Sequence, residues 1–333
     1  MKNLMIAASG CALAFALAAP AVAQQADAAQ PSEDGIGVIV VTAQKRAENV
    51  QDVPIAITAL GSQFLETRGI DSIDDLGTIA PNVKFERAPA SKTISQIAIR
   101  GSVTINPAIT WEPAVGLYLD GVYIAKAQGS IFDIADLDRV EILRGPQGTL
   151  YGRNALAGAV NLVTKKPSGE AGGMAELTYG SFDEVRLRGV IDLPQMGAFS
   201  AKVSGQYRTR DGLIALTAPD GSGRNRTDSI ESGSFMVQLR AEITDNITAD
   251  YTYDYSKSNQ TPPFSQLLAV NRNGDPRDIF DPGSPSYAFG GAFFPLDRVA
   301  NPDRVTTAAI DAPVYERSRS YGHALTLTVG LGD

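Results

Sequence analysis

The chain has 333 residues, of which 20% are charged, and its 29 basic and 37 acidic side chains give a formal net charge of −8. An excess of acidic groups disfavours nucleic acid as a partner, because like charges repel. A hydrophobic content of 44% is too high for a disordered chain, so the sequence is that of a folded protein with room for roughly two domains.

The N-terminus has the features of a secretory signal. A basic residue precedes an apolar run at residues 4–19, and the small residues 21–23 match a signal peptidase site. We therefore predict a signal peptide at residues 1–23 and export of the remainder. Cys11 is the only cysteine and leaves with the signal, so neither a disulfide nor a cysteine metal site is predicted.

Residues 24–50 form a polar, flexible linker that contains one apolar segment. This segment, "VIVVTAQKR" at residues 38–46, places β-forming residues in a row inside the polar tail. Such a run predicts an unpaired strand that is completed by another protein's sheet edge. The alternative is that the run is simply the first strand of the next domain, and its spacing does not decide between the two. The residues predicted to make the contact are Val38, Ile39, Val40, Val41, Thr42 and Ala43.

Residues 51–170 have the short mixed elements of a small α+β domain. One helix is predicted from Ser62, as its cap, to Arg68, and a second is predicted after the capping signature at residues 72–75. Strands are predicted at residues 55–60, 83–85, 97–100, 115–119, 122–124, 139–143 and 159–164.

Glycines punctuate residues 139–167, "RVEILRGPQGTLYGRNALAGAVNLVTKKP". A phosphate-binding P-loop needs the lysine and hydroxyl of G-K-[ST], and these do not follow the glycines here. We instead interpret Gly145 as the end of a strand, and Gly148 and Gly152 as points where backbone passes close to backbone.

Residues 171–333 change to long strands in which apolar and polar residues alternate. A soluble sandwich also has one polar face. Strand length, a tyrosine-rich fifth strand and an alternation of short and long connections nevertheless favour an outer-membrane barrel. The six segments are 174–179, 185–193, 199–210, 235–243, 247–255 and 321–329; the short turns are 193–197 and 245–246, and the long loops are 211–229 and 257–318.

An exported chain with this order of segments resembles a TonB-dependent outer-membrane receptor. "VIVVTAQKR" resembles the TonB box, "DVPIAITAL" resembles the opening of the plug, and "IAIRG" and "VGLYLDGVYI" resemble its central strands. The glycine-rich segment resembles the plug's closing signature. The resemblance implies an α+β plug domain followed by an antiparallel transmembrane β-barrel, which is incomplete here with about six strands of roughly 22.

The resemblance also implies a function in active transport. Such a receptor lies in the outer membrane of a Gram-negative bacterium, among outer-membrane lipid, and imports a scarce nutrient such as a ferric siderophore-like chelate. The energy comes from TonB and its inner-membrane partners ExbB and ExbD. No enzyme activity, cofactor or metal is predicted, because the only histidine, His323, cannot build a catalytic triad or an imidazole metal site.

Two sets of site residues follow from this resemblance. Arg100 and Arg144 of the plug are expected to meet acidic residues of the barrel wall, with ordinary surface charge as the alternative. Substrate contacts are predicted on a plug loop because aromatic residues in a wet cleft can stack on a sugar or chelate, with plain packing as the alternative. These residues are Asn106, Thr110, Trp111 and Glu112.

Six strands are fewer than a closed barrel requires, so we expect the chain to be the N-terminal fragment of a longer receptor. The alternative from another functional class is a secreted carbohydrate-binding or adhesin module whose strands close a soluble sandwich.

Overall fold

The structure is a computed structural model of the chain. The predicted signal peptide and residues 24–38 lie outside the residues that the structure describes. None of the described helices is both long and apolar enough to cross a membrane. The described residues are 39–70, 73–88, 91, 94–104, 111–125, 136–217, 223–268, 301–309 and 315–330.

The first part of the described chain is an α+β domain. Its strands are β1 (Val40–Val41), β2 (Glu48–Asn49), β3 (Ile57–Gly61), β4 (Val83–Arg87), β5 (Ser95–Ile99), β6 (Val115–Leu119), β7 (Val122–Tyr123), β8 (Leu137–Arg144) and β9 (Gly158–Thr164). A five-stranded sheet has the order β3-β8-β9-β6-β7, in which β6 and β9 are parallel and the other neighbours antiparallel. The pairs β1-β2 and β4-β5 form two smaller sheets.

The described part of the domain also contains two short α-helices and a 3-10 helix. The predicted helix after β3 is confirmed as α1 (Ser62–Arg68), but its N-cap is Gly61, which has no side chain. The prediction that Ser62 caps this helix is therefore wrong. The 3-10 helix spans Ile73–Thr78, and α2 (Gly148–Tyr151) is a single turn within the glycine-rich segment.

The two faces of the five-stranded sheet bury different clusters. On one face, the main core includes Val140 and Ile142 of β8 and Leu162 of β9, all fully buried. Because side chains alternate along a strand, the neighbouring residues of β8 and β9 point to the other face. There a second buried cluster includes Leu143, Tyr118 and the segment that carries β1.

The segment predicted to be unpaired is paired in the structure. β1 lies antiparallel to β2, with Val40 opposite Asn49 and Val41 opposite Glu48. Val41 and Ala43 are fully buried against the second cluster. The prediction of an unpaired strand is wrong because the chain turns back at once and supplies its own partner strand.

One of the three glycine interpretations holds. β8 ends at Arg144, directly before Gly145, as predicted. A Cβ atom at Gly148 or Gly152 would meet nothing within 4 Å, so the interpretation of these two glycines as close contacts is wrong. The close approach is instead at Gly158, where a Cβ would collide with the Leu143 carbonyl oxygen and the Ile99 side chain.

The second part of the chain is dominated by a six-stranded antiparallel sheet in the order β10-β11-β12-β15-β16-β18. This confirms the six predicted strands. The loops predicted at residues 211–229 and 257–318 contain further strands, because β13 pairs with β14 and, in parallel, with β17. The strands are β10 (Gly172–Gly180), β11 (Glu184–Met196), β12 (Phe199–Arg210), β13 (Ile214–Thr217), β14 (Gly223–Thr227), β15 (Ile230–Thr244), β16 (Ile247–Gln260), β17 (Thr307–Ala309) and β18 (Glu316–Val329).

The six-stranded sheet has one apolar face and one polar face. Large apolar side chains such as Leu187, Val203 and Leu239 are exposed on the first. Polar side chains such as Ser204 and Gln238 alternate with them and are buried on the second. This distribution is the reverse of a soluble protein's, and it is typical of strands whose outer face contacts lipid.

The polar face carries the α+β domain through a buried ion pair and a hydrogen bond. The ammonium group of Lys202 on β12 lies 3.1 Å from Asp136 Oδ2, and both side chains are less than 10% exposed. Lys202 also donates to the carbonyl oxygen of Lys166 at 3.0 Å. Next to it, Gln238 Nε2 donates to Thr164 Oγ1 at 2.7 Å. The end of β9 is thereby fixed to the sheet.

An arginine on the apolar face should destabilise the protein. If this face contacts hydrocarbon, Val203→Arg should cost about 2 to 4 kcal/mol of unfolding free energy in lipid bilayers. The control is Ser256→Arg, which should cost less. Ser256 lines a cavity of about 230 Å³ between the sheet and the domain, so an arginine there does not enter hydrocarbon. Denaturant unfolding of the bilayer-reconstituted protein measures both. Equal losses for the two variants would contradict a lipid-facing assignment.

Removal of the Lys202 charge should loosen the domain from the sheet. Lys202→Met leaves Asp136 buried with Lys165, 3.7 Å away, as its remaining basic partner among the described residues. We expect the unfolding free energy, measured in urea, to fall by about 3 kcal/mol. Lys257→Met, at an exposed lysine of β16, should change the stability by less than about 0.5 kcal/mol. Similar losses for both lysines would show that the ion pair is not a specific anchor.

Candidate functional site

A buried carboxylate lies at the centre of the domain face that β1 covers. Glu141 of β8 is fully buried on this face. Its carboxylate accepts hydrogen bonds from the Thr42 backbone N–H at 2.8 Å and the Thr42 hydroxyl at 3.1 Å. Arg139 Nε donates to it at 2.8 Å and Asn161 Nδ2 at 3.3 Å. We call Glu141, Thr42, Arg139 and Asn161 the Glu141 cluster.

The cluster blocks one edge of β1. The Val50 N–H donates to the Ile39 carbonyl at 2.9 Å, so the polar backbone groups of Ile39 face β2. Since the direction alternates along an antiparallel strand, the backbone groups of Val40 and Thr42 face away from β2. Those of Thr42 are both occupied, the N–H by Glu141 and the carbonyl by the Lys45 N–H at 2.9 Å.

Lys45 adds a second contact just after β1. It lies in a turn with a positive φ of 65°, and its ammonium group is 4.3 Å from the centre of the Tyr151 ring and 5.3 Å from that of Tyr118. The two rings meet edge to face, and the Tyr118 hydroxyl donates to the Tyr151 carbonyl at 2.6 Å. These are the distances of a cation–π interaction.

Burial shifts the pKa values of Lys45 and of the two tyrosines that it contacts. Burial, and then the negative charge of Glu141, raise the pKa of the Tyr151 hydroxyl above its usual range. Burial also raises the pKa of Tyr118, and it lowers the pKa of Lys45, which the charge of Glu141 partly offsets. Both hydroxyls therefore stay protonated to a higher pH than those of exposed tyrosines, and the neutral rings can hold a cation.

The predicted substrate loop is only partly described. Asn106 and Thr110 lie outside the described residues, as does Val38 of the β1 segment. Trp111 is 56% exposed, and Glu112 beside it forms an exposed ion pair with Arg153 at 2.9 Å. Arg153 was not among the predicted residues, since it lies 41 positions further along the chain.

The two predicted arginines lie close together in the domain. Arg100 extends to within 3.6 Å of the position that a Cβ of Gly145 would take, next to Arg144. Arg144 Nε is buried without a hydrogen-bond partner among the described residues. Neither arginine pairs with a described carboxylate of the six-stranded sheet, and the expected contact with the barrel wall stays a prediction.

The charged residues that do hold the structure together were not predicted from the sequence. Lys202 is the one basic residue among the inward positions at the start of β12, and Glu141 is one acid between the apolar Val140 and Ile142. A charge isolated at a position that alternation assigns to a buried face was the available signal.

Comparison with known proteins identifies the first domain. Residues 49–159 match the family model for the TonB-dependent receptor plug domain. The chain is 33% identical over 170 residues to the pesticin receptor of Yersinia pestis, covering 51% of this chain and 24% of that receptor. It is 28% identical over 214 residues to the ferripyoverdine receptor of Pseudomonas aeruginosa, covering 64% of this chain and 25% of that protein. The chain thus spans about a quarter of the length of these relatives.

Solved structures extend the match into the six-stranded sheet. The ferric yersiniabactin uptake receptor FyuA of Yersinia pestis superposes with a TM-score of 0.54 at 26% identity, covering 62% of this chain and 32% of that one. The open form of the ferric-catecholate import receptor Fiu of Escherichia coli superposes with a TM-score of 0.62 and covers 86% of this chain and 38% of that one. At 17% identity the second match shows the fold alone.

Each of these superpositions includes both the α+β domain and strands that follow it. They do not fit a soluble sandwich. Residues 49–159 are thus a TonB-dependent receptor plug domain, and the antiparallel strands that follow it match the fold of TonB-dependent outer-membrane receptors.

Proposed function

We propose that the chain serves the active uptake of a scarce nutrient across the outer membrane and has no catalytic role. The observation that carries this proposal is the plug domain held against the polar face of strands whose other face is apolar. In that position the domain obstructs the inside of the barrel. A substrate then passes only if the plug rearranges, which requires work from another protein.

The substrate class that we propose is an iron chelate of the siderophore type or a similar compound. Among the relatives are a ferripyoverdine receptor and a catecholate siderophore receptor, and another is named as a vitamin B12 transporter. In this chain, the exposed Trp111 offers an aromatic surface, and Arg153 and Glu112 offer charged groups next to it. Asn106 and Thr110 belong to the same proposed contact.

The proposed source of energy is TonB, acting with ExbB and ExbD in the inner membrane. We propose that residues 38–43 bind TonB by backbone pairing, as an added strand. Val40 supports this role, since it is 46% exposed and its backbone N–H and carbonyl face away from β2. We also keep the proposal that Arg100 and Arg144 contact acids of the barrel wall.

Proline at Val40 tests the proposed function. Val40→Pro removes a backbone donor on the outer edge of β1, whereas the ladder to β2 uses Ile39 and Val41. In bacteria that depend on this receptor for iron, energised uptake of a radiolabelled ferric siderophore should fall to the background level. Surface binding of the same chelate should remain, and the control Val40→Ala should retain both. Loss of binding together with uptake would indicate a folding role and contradict the TonB contact.

A further inference from the structure

Positive charge gathers on the apolar face of the six-stranded sheet, at one end of its strands. Leu239 on this face lies opposite Tyr251 of β16, so alternation along β16 places Lys257 on the same face. Arg319 of β18 lies directly opposite Lys257, and Arg317 is two residues away on the same face. The side chains of Lys257, Arg317 and Arg319 are all exposed. We call these three residues the basic rim.

The positive charges of the basic rim are poorly balanced by acids of the chain. Like charges directly opposite on neighbouring strands repel, and Lys257 and Arg319 are such a pair. Neither forms an ion pair within the part of the chain that the structure describes. Arg317 Nε donates to Asn259 Oδ1 at 3.1 Å, and Asn259 Nδ2 donates to the Glu231 carboxylate at 2.8 Å. An anion from outside the chain would relieve the repulsion between Lys257 and Arg319.

Aromatic side chains follow the basic rim on the same face. Tyr255 and Tyr321 lie opposite each other, two residues along their strands from Lys257 and Arg319. Phe235 of β15 stacks on Tyr255 with ring centres 5.4 Å apart, and Tyr321 is 66% exposed. Exposed aromatic rings between charged residues and an apolar surface are typical of the boundary between lipid headgroups and hydrocarbon. The basic rim is therefore placed at the depth of the headgroups.

A hollow beside the basic rim can receive an apolar group. Gly233 lies opposite Lys257 on β15 and has no side chain to cover the sheet there. The hollow has a volume of about 330 Å³, and its lining includes Tyr207, Phe235 and Tyr255 as well as Lys257. It thus combines aromatic walls with a positive charge at one side, which suits a molecule that has an acyl chain and an anionic headgroup.

The connections between the strands show which leaflet the basic rim meets. Residues 211–229 join β12 to β15, and residues 261–315 join β16 to β18, at the end of the strands that carries the rim. The other end has two-residue turns at 197–198 and 245–246. Outer-membrane barrels have short turns on the periplasmic side and long loops on the outside. The basic rim therefore faces the outer leaflet.

We propose that the basic rim binds the phosphate groups of an outer-leaflet lipid, and that an acyl chain of this lipid lies over Tyr255 and Tyr321 and in the hollow at Gly233. Ammonium and guanidinium groups are common phosphate ligands in proteins, and arginine can bind phosphate with two parallel hydrogen bonds. The source of the phosphate is a lipid because the rim continues directly into aromatic and apolar residues. This lipid contact is separate from the proposed uptake and does not depend on it.

Native mass spectrometry of the full chain in detergent micelles measures the binding of two lipids. Lipid A has a phosphorylated headgroup, whereas phosphatidylethanolamine has no net charge, so we expect lipid A to bind about tenfold more tightly. Lys257→Gln and Arg319→Gln each remove one positive charge from the rim. Each should weaken lipid A binding about fivefold and leave the binding of phosphatidylethanolamine unchanged. Lys257→Arg keeps the charge and should retain the original affinity for lipid A.

Two further variants separate the basic rim from charge in general and from the hollow. Lys84→Gln removes an exposed lysine of the plug that pairs with Glu86, and it should change neither affinity. Gly233→Leu fills the hollow while the charges of the rim stay in place. A Cβ atom at Gly233 would lie 3.5 Å from Tyr207 Cδ2, which is an ordinary contact, so the strand can accept the change. This variant should weaken lipid A binding.

Several outcomes would overturn the lipid contact. Equal affinities for the two lipids would contradict it, and so would unchanged lipid A binding in Lys257→Gln and Arg319→Gln. An equal loss in Lys84→Gln would show that the rim is not a specific site. Inorganic phosphate is the probe for a free anion. Complete displacement of lipid A by millimolar phosphate would assign the rim to a soluble anion, whereas lipid A binding that persists supports the lipid.

Discussion

The hydrogen bonds that converge on the buried carboxylate of Glu141 are the constraint on which the arrangement of the plug depends. A fully buried acid needs donors, and here Thr42, directly after β1, and the strands β8 and β9 each bring one or more of them. Satisfying Glu141 therefore sets the position of β1 on the sheet. The burial of Val41 and Ala43 follows from it, and so does the turn that seats Lys45 on two tyrosine rings.

A second charged contact, between Lys202 and Asp136, holds the other end of the domain. It differs from the contact between Thr42 and Glu141 in the cost of breaking it. Lys202 joins the plug to the wall through Asp136 and through backbone carbonyls at the end of β9. Breaking this contact separates two buried opposite charges, which is costly. Releasing Thr42 from Glu141 separates no opposite charges. The chain thus has a firm attachment to the wall and a weaker closure at the segment proposed to meet TonB.

Much of this architecture follows from local sequence patterns, because alternation and turn residues act over short distances. The six long strands and the turn after Arg144 could be predicted in this way. The pairing of β1 could not, since its partner at Glu48 and Asn49 is polar and has no strand signal. Likewise, nothing local connects Glu141 to Thr42, 99 residues earlier, or Arg153 to Glu112. Such contacts depend on the completed fold.

The central claim is that residues 39–43 are closed against the plug in the resting protein. Ala47, directly before β2, the partner strand of β1, and Leu150, on α2, are both exposed. Spin labels at these two positions test the claim through the distance distribution between them. A pulsed electron paramagnetic resonance measurement should give one narrow distribution for the protein alone and a broad one after addition of the periplasmic domain of TonB. A broad distribution in the resting protein would contradict the account.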